Sequence, residues 1–462
     1  MSSTTVCNEL LAAPSNRSLL QRHGHRPLSE FILLPMGTLK SPLLGPGLTE
    51  NGSWSRGAAS VGGRSIYFAS ELALLVLVLA GVVTAQAQPV KPSASLGTMP
   101  FEWIDNRIFV PVMLNGQGPF HLILDTGASL GVSPEVAAKL GLHIESSGET
   151  GGVGDKTVVL QSTHVRDLKL GPAHLSHLDC NVISTADSSY VFGKVPVDGF
   201  LGLELFQHYV VRHDYQSREL TFYDPRDFAY SGPGESIPFT RVGNIPVIQA
   251  SFDGIAGKFG VDTGARSSLL LYGPFVAANH IAETYRANFQ GVSGWGIGGP
   301  VRSFMIRAHT LRIGSIEMHD LIARLFLNKS GATATSSKAG LIGPDVLKQF
   351  VFFCDYSRSR LIFEKNSSFG VRDHYDRAGI WISQRGDQFE IFDVIPGGPA
   401  DAAGLKVGDV VLAIDGKSTA QLSLTRVRDQ WKNSAPGTVF SLQLRGSDGK
   451  TREVKLQLRD LV

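Results

Sequence analysis

The stretch 108–128, IFVPVMLNGQGPFHLILDTGA, and the stretch 245–265, IPVIQASFDGIAGKFGVDTGA, decide how this chain folds, because they repeat one pattern. Each opens with an apolar run of strand character, 108–114 and 245–252. Each then has a turn pair, Asn115-Gly116 or Asp253-Gly254, and a second run, 120–124 or 258–261. Each ends in Asp-Thr-Gly-Ala, at 125–128 and 262–265. An Asn-Gly or Asp-Gly pair between apolar runs predicts a β-hairpin, since both residues tolerate positive φ. The hairpin delivers its second strand straight into the Asp-Thr-Gly turn.

The repeat extends further. A glycine-rich stretch follows each aspartate, at 151–154 (GGVG) and 291–299 (GVSGWGIGG). Two apolar residues and a glycine come next, Phe200-Leu201-Gly202 and Leu341-Ile342-Gly343, each followed by a short helical piece, 203–207 and 344–349. Each copy closes with a strand pair around an acid, Asp214 or Asp355, which the pattern reads as turn supports. Landmarks in the same order across two segments mean an internal duplication.

Around this core the chain divides by composition. Residues 1–65 mix Ser, Gly and Leu with no period and read as a disordered leader or an over-extended start. In 66–87 an apolar run, 72–83 (LALLVLVLAGVV), follows Arg56 and Arg64 and precedes Ala85-Gln86-Ala87, the layout of an export signal. An uncleaved membrane anchor is the other reading, against which the run is short. Either way the expected location is periplasmic or secreted. Residues 88–100 read as a linker, 101–231 and 232–366 as the two copies, and 377–462 as a third unit after a polar joint. The third unit is expected to be mostly β, with helices near 399–403 and 425–433.

Hydrophobic residues make up 43% of the 462, enough for several cores. A formal net charge of +2 gives no support to nucleic-acid binding. Cys7, Cys180 and Cys354 show no metal-ligand spacing. If the first is removed with the leader, the other two either pair or stand as separate buried thiols, and both readings stay open.

Asp-Thr-Gly-Ala at a strand end presents a carboxylate at a turn. Thr can bond across to a neighbouring turn, and Gly lets backbone approach closely. Two such turns about a twofold would bring Asp125 and Asp262 together. Like charges about 3 Å apart cannot both ionise, so the pair shares one proton. One carboxylate then activates water while the other polarises a carbonyl. That chemistry needs no cofactor and no metal.

These two motifs resemble those of retropepsin-like aspartic proteases, and the apolar-apolar-Gly triplets resemble that family's second signature. The resemblance covers about 101–366. It implies a mostly β fold: two retropepsin-like β-barrel lobes in one chain, related by a pseudo-twofold, as in pepsin. It implies Asp125 and Asp262 as the catalytic pair, with Thr126, Gly127, Ser129, Thr263 and Gly264 in support. It places substrate-covering flaps at Gly152 and Gly154 in one lobe and at Trp295 and Gly296 in the other, Trp295 either touching substrate or packing under its flap. One position departs. Where the first copy has Ser129, whose hydroxyl would support the catalytic carboxylate, the second has Arg266. A cation facing the pair would lower its pKa values. The alternative has Arg266 pointing to solvent, with Ser267 or Ser268 supplying the hydroxyl.

The third unit carries Val394-Ile-Pro-Gly-Gly-Pro-Ala400, Ala403-Gly404-Leu405, Val407-Gly408-Asp409 and Ile414-Asp415-Gly416. This string resembles a bacterial PDZ domain. The resemblance implies a carboxylate-binding loop at Ala378, Gly379 and Ile380, reached from Arg377, and a groove lined by 425–431. A peptide C-terminus would bind there as an added strand. The whole reads as an exported endopeptidase acting on peptides or unfolded proteins, with C-terminal peptides as partners of the PDZ domain. Two rivals stay open: a protease active only as a homodimer, and a non-catalytic peptide-binding scaffold with a decayed site. A PDZ fold used only to pack against the protease is a further alternative.

Overall fold

The computed structural model describes residues 93–462 apart from 153, 155 and 328–330. The expected leader and export signal, and Cys7, lie outside the described residues. No helix among the described residues is long and apolar enough to cross a membrane.

The two copies build two sheets of eight strands with one shared order. In the first lobe the order is Glu102–Ile104, Arg107–Leu114, Gln117–Leu124, Gly199–Leu201, Gly131–Val132, Ala173–Ile183, Thr157–Leu170, Ser146–Gly151. In the second it is Thr240–Val242, Ile245–Phe252, Ile255–Val261, Gly340–Ile342, Leu269–Leu271, Ile316–Leu325, Gly299–Ile313, Phe289–Gly296. Each sheet curls on itself: Arg107–Leu114 also pairs with Thr157–Leu170, and Ile245–Phe252 with Gly299–Ile313.

The hairpin turns are two-residue turns with positive φ at both positions: 50° and 76° at Asn115-Gly116, 48° and 80° at Asp253-Gly254. That twist matches the twist of the flanking strands. The same residues also close the barrels. Asn115 Oδ1 accepts from the backbone N–H groups of Arg166 (2.9 Å) and Asp167 (3.1 Å), and Asp253 Oδ1 from that of Thr310 (2.7 Å).

Alternation then sorts the side chains. In Arg107–Leu114, Ile108, Val110, Val112 and Leu114 enter the barrel core, while Phe109 on the opposite face packs with Ile123 and Phe192. In the second lobe Ile248, Ala250 and Phe252 face the core and Ile245 and Val247 the other side.

A six-stranded sheet ties the lobes together. Its order, Gly97–Pro100, Glu219–Tyr223, Val210–Asp214, Phe350–Asp355, Arg360–Lys365, Glu235–Pro238, reads symmetrically about its centre. There Val211 pairs with Cys354 and His213 with Phe352. The expected linker 88–100 therefore ends in a strand of this sheet, because Thr98 and Met99 find partners in Thr221 and Leu220. Asp214 and Asp355 accept backbone N–H bonds in the turns that follow, as the pattern reads. Cys180 and Cys354 are both buried free thiols.

The third unit is a PDZ domain with its own core around Trp431, Phe389, Ile391 and Leu442. Its main sheet runs Ile380–Arg385, Gln388–Val394, Val410–Ile414, Val439–Arg445, Thr451–Gln457, so Ile380–Arg385 is an edge strand. The helix Leu424–Asn433 follows the expected 425–433. The polar joint before it is packed rather than loose. Asp373 is buried and accepts from Ile322 N (3.1 Å) and from the hydroxyl of Ser268.

Candidate active site

Each Asp-Thr-Gly turn is held from behind by its apolar-apolar-Gly strand. Gly199–Leu201 runs parallel to Gln117–Leu124, and Asp125 N donates to Leu201 O at 2.9 Å. Gly340–Ile342 does the same for Ile255–Val261, with Asp262 N to Ile342 O at 2.9 Å. A Cβ on Gly202 would collide with the carbonyl oxygens of Asp125 and Ala128, and one on Gly343 with that of Ser267. Only glycine lets the backbone pass that close.

The two turns grip each other. Thr126 N donates to Thr263 Oγ1 (3.0 Å) and Thr263 N to Thr126 Oγ1 (3.1 Å). Each hydroxyl then donates onward, Thr126 Oγ1 to Val261 O (2.7 Å) and Thr263 Oγ1 to Leu124 O (2.9 Å). Both threonines are fully buried, so each bond is made in a low dielectric with no water competing.

This grip sets Asp125 and Asp262 face to face. A Cβ on Gly264 would collide with Asp125 Oδ2, and one on Gly127 would lie 3.9 Å from Asp262 Cγ. Gly127 N donates to Asp125 Oδ1 (2.7 Å). Asp262 Oδ1 takes two such bonds, from Gly264 N (2.8 Å) and Ala265 N (3.0 Å). Burial first, and then the facing Asp262 carboxylate, push the Asp125 pKa well up. Burial also raises Asp262, against the two N–H donors that favour its ionised form.

The pair lies at one side of a cleft of about 760 Å³. Apolar side chains of both lobes line it, among them Ile123, Phe200, Ile245 and Leu341. The two glycine-rich hairpins cover it and meet at their tips. Gly154 N donates to Ile297 O (3.0 Å) and Lys156 N to Gly298 O (3.2 Å). A Cβ on Gly152 would stand 2.7 Å from Ile297 Cβ. Trp295 lines the cleft and is also an anchor. It stacks on Tyr190 of the first lobe (5.1 Å between centroids) and meets Phe392 of the PDZ domain edge-on (5.0 Å). Gly296 follows it along the same hairpin arm.

Two expectations about the support residues need correction. Ser129 is bonded to Asn244, whose Nδ2 donates to Ser129 Oγ at 2.8 Å, and has no hydrogen bond to Asp125 among the described residues. Arg266 does not face the pair. Its Nε donates to Asp105 Oδ1 (2.8 Å), and its guanidinium lies 5.4 Å from the Trp381 ring centroid. A buried carboxylate draws the guanidinium to itself rather than to the pair, although Arg266 still lines the cleft. Nor do the neighbouring serines supply a hydroxyl to the pair: Ser268 bonds Asp373, and Ser267 Oγ is buried without a partner.

A cation that acts on both members of the pair is Arg107. Its Nε donates to Gly264 O (2.9 Å), its Nη1 to Asp105 Oδ2 (2.8 Å), and its charge lowers both aspartate pKa values. Arg107 and Asn244 hold the same place in the two copies, one residue before the first apolar run, and both reach the opposite lobe's turn. Extending the repeat by one residue identifies them. Asp105 joins three arginines: Arg107, Arg266 and, at 3.9 Å, Arg428 of the PDZ domain. Burial raises its pKa, but the three cations outweigh this and hold it at about 2.

The PDZ loop and groove are filled from within the chain. Ala378 N donates to Asp376 Oδ1 (2.7 Å), and Gly379 N–H also faces that half-buried carboxylate. Ile380 begins the edge strand. Against that strand and the helix Leu424–Asn433 packs the helical turn Ser189–Phe192 of the first lobe.

Two segments of the chain match known families. Residues 110–205 match the family described as aspartyl protease, and residues 390–446 match PDZ domains. The chain thus carries an aspartyl protease domain and a C-terminal PDZ domain. No curated protein matches the sequence. Among solved structures, an aspartic proteinase from Irpex lacteus is similar at 16% identity, over 60% of this chain and 98% of its own, with a TM-score of 0.39.

Substitutions at four positions test this geometry. Thr126→Val leaves a buried N–H and a buried carbonyl unpaired and should cost about 2–4 kcal/mol in denaturant unfolding, with Thr126→Ser near wild type. Gly264→Ala should displace the Asp125 carboxylate and lower any peptide hydrolysis about 100-fold or more, with the fold intact by circular dichroism. Arg266→Ser should leave the pH profile unmoved yet cost about 3 kcal/mol of stability, because Asp105 loses a partner; Arg107→Gln should move the alkaline limb upward, because the cation that favours ionisation is gone.

Proposed function

We propose that the chain is an exported aspartic endopeptidase that hydrolyses peptide bonds in peptides or unfolded proteins. The observation that carries this is the facing of Asp125 and Asp262 across the threonine grip, inside a covered apolar cleft. Two carboxyls so placed hold one proton between them. The second N–H on Asp262 favours its ionised form, so the shared proton rests on Asp125 in the free protein. Asp262 then takes a proton from water as the water oxygen attacks the scissile carbonyl carbon. Asp125 gives its proton to the carbonyl oxygen. Collapse of the resulting diol passes a proton to the amide nitrogen, and the C–N bond breaks.

Closed flaps exclude bulk water, which strengthens these interactions and orients an extended peptide. The apolar walls fit apolar side chains on both sides of the bond. Export is supported by the apolar run and small-residue pattern at 72–87. A single chain supplying both aspartates favours action without a second copy, against the homodimer reading.

The test is cleavage of an unfolded protein across pH by wild type, Asp125→Asn and Asp262→Asn. Each substitution alone should reduce hydrolysis by at least about 1000-fold. Because burial raises the pair's pKa values, wild-type activity should extend above the ordinary carboxylate range. It should then fall as the second proton leaves. Cleavage by either variant at the wild-type rate would reject the intrachain pair.

A further inference from the structure

The PDZ groove is the part of the molecule whose contents its own sequence does not announce. An edge strand, a helix and a loop of backbone donors make a receptor for an extended chain end. Here all three are engaged. The edge strand is buried from Ile380 to Gln384. The helical turn Ser189–Phe192 lies against it and against the helix Leu424–Asn433. Arg428, from that helix, donates Nη1 to Val191 O at 2.8 Å and stacks over the Trp381 ring at 3.9 Å. Gly193 packs so closely that an added Cβ would collide with Gln384 Oε1 and stand 3.1 Å from Leu424 Cβ. At the rim Lys194 Nζ pairs with Asp387 Oδ1 at 2.7 Å. The loop's donors face Asp376, a carboxylate of the same chain.

The occupant has a second face. Asp187, Ser188, Val191 and Phe192 line the catalytic cleft. The PDZ domain also holds the second flap. Val292 N donates to Asp393 Oδ2 (2.6 Å), Arg302 Nη1 pairs with Asp393 Oδ1 (2.6 Å), and Phe392 meets Trp295. One domain therefore grips a cleft wall with its groove and a cleft roof with its neighbouring strand.

We propose that the PDZ groove is an internal binding site whose ligand is the first-lobe segment 189–193, and that this docking clamps the cleft shut, so that a peptide chain end entering the groove releases the wall and the second flap together. The segment binds as a helical turn anchored through the Val191 carbonyl, and no backbone hydrogen bond joins it to the edge strand. An extended peptide could pair with that strand fully, which gives it the means to displace the turn. This inference rests on the peptidase reading for its consequence but not for its test.

The test is hydrogen exchange on the full chain with Asp125→Asn throughout, so that no self-cleavage enters. Two substitutions undo the docking from opposite sides: Arg428→Ala removes the anchor in the PDZ domain, and Gly193→Ala, made in the first lobe, adds a Cβ that meets Gln384 and Leu424 and that the positive φ of 63° also strains. Each should speed exchange about tenfold or more at 186–194 and at 289–299 together, while Phe350–Asp355 stays protected. Faster exchange at 186–194 with the flap unchanged would overturn the clamp, as would no change at either. If Arg428→Ala exposes Phe350–Asp355 as well, Gly193→Ala decides. In chains with Asp125 intact, Gly193→Ala should raise cleavage of an unfolded protein several-fold. If exchange responds but no chain cleaves, the docking stands and the peptidase reading fails.

Discussion

Everything in the protease half depends on two threonine hydroxyls, each accepting the other's backbone N–H. The reciprocal bonds between Thr126 and Thr263 cross the approximate twofold and fix the separation of the aspartates beside them. They hold because both residues are fully buried and every donor and acceptor is used. The parallel pairing of each apolar-apolar-Gly strand and the six-stranded sheet joining the lobes serve the same end. They keep two carboxyls where repulsion and burial would otherwise push them apart.

Much of this was legible in the sequence because duplication doubles every signal. Asn115-Gly116 alone marks a turn. Paired with Asp253-Gly254, and with each turn followed by Asp-Thr-Gly, it marks an architecture. The apolar runs placed the hairpin strands, and the hydroxyl of each threonine pointed to a bond across the turns. What stayed hidden depends on contacts between residues far apart in the chain. Arg266 looked like a cation beside the dyad because local spacing puts it there. Asp105, distant in sequence and next to no recognised motif, turns it away. Arg107 acts on the pair through Gly264, across the lobe boundary. No period or motif registers such a contact, though the repeat's symmetry with Asn244 hints at it.

The domain boundary was also simpler on paper. Residues 364–376 read as a polar joint. Yet Asp373 is buried under the second lobe's turn and Asp376 is half-buried in the PDZ loop. Polarity at these positions marks satisfied internal bonds rather than solvent exposure. A carboxylate that accepts backbone N–H bonds in a dry site looks, in sequence, the same as one on a loop.

Asp105 has a consequence for synthesis. The first lobe contributes Asp105 and Arg107, the second Arg266, and the PDZ domain Arg428. A ribosome makes the anion long before two of its three counter-charges. Until residue 428 has emerged and folded, the acid sits at an unfinished seam with its last cation missing. The cluster therefore closes last: the aspartate bracing the second Asp-Thr-Gly turn through Arg107 gains its third arginine only in a chain that has been made to its third domain.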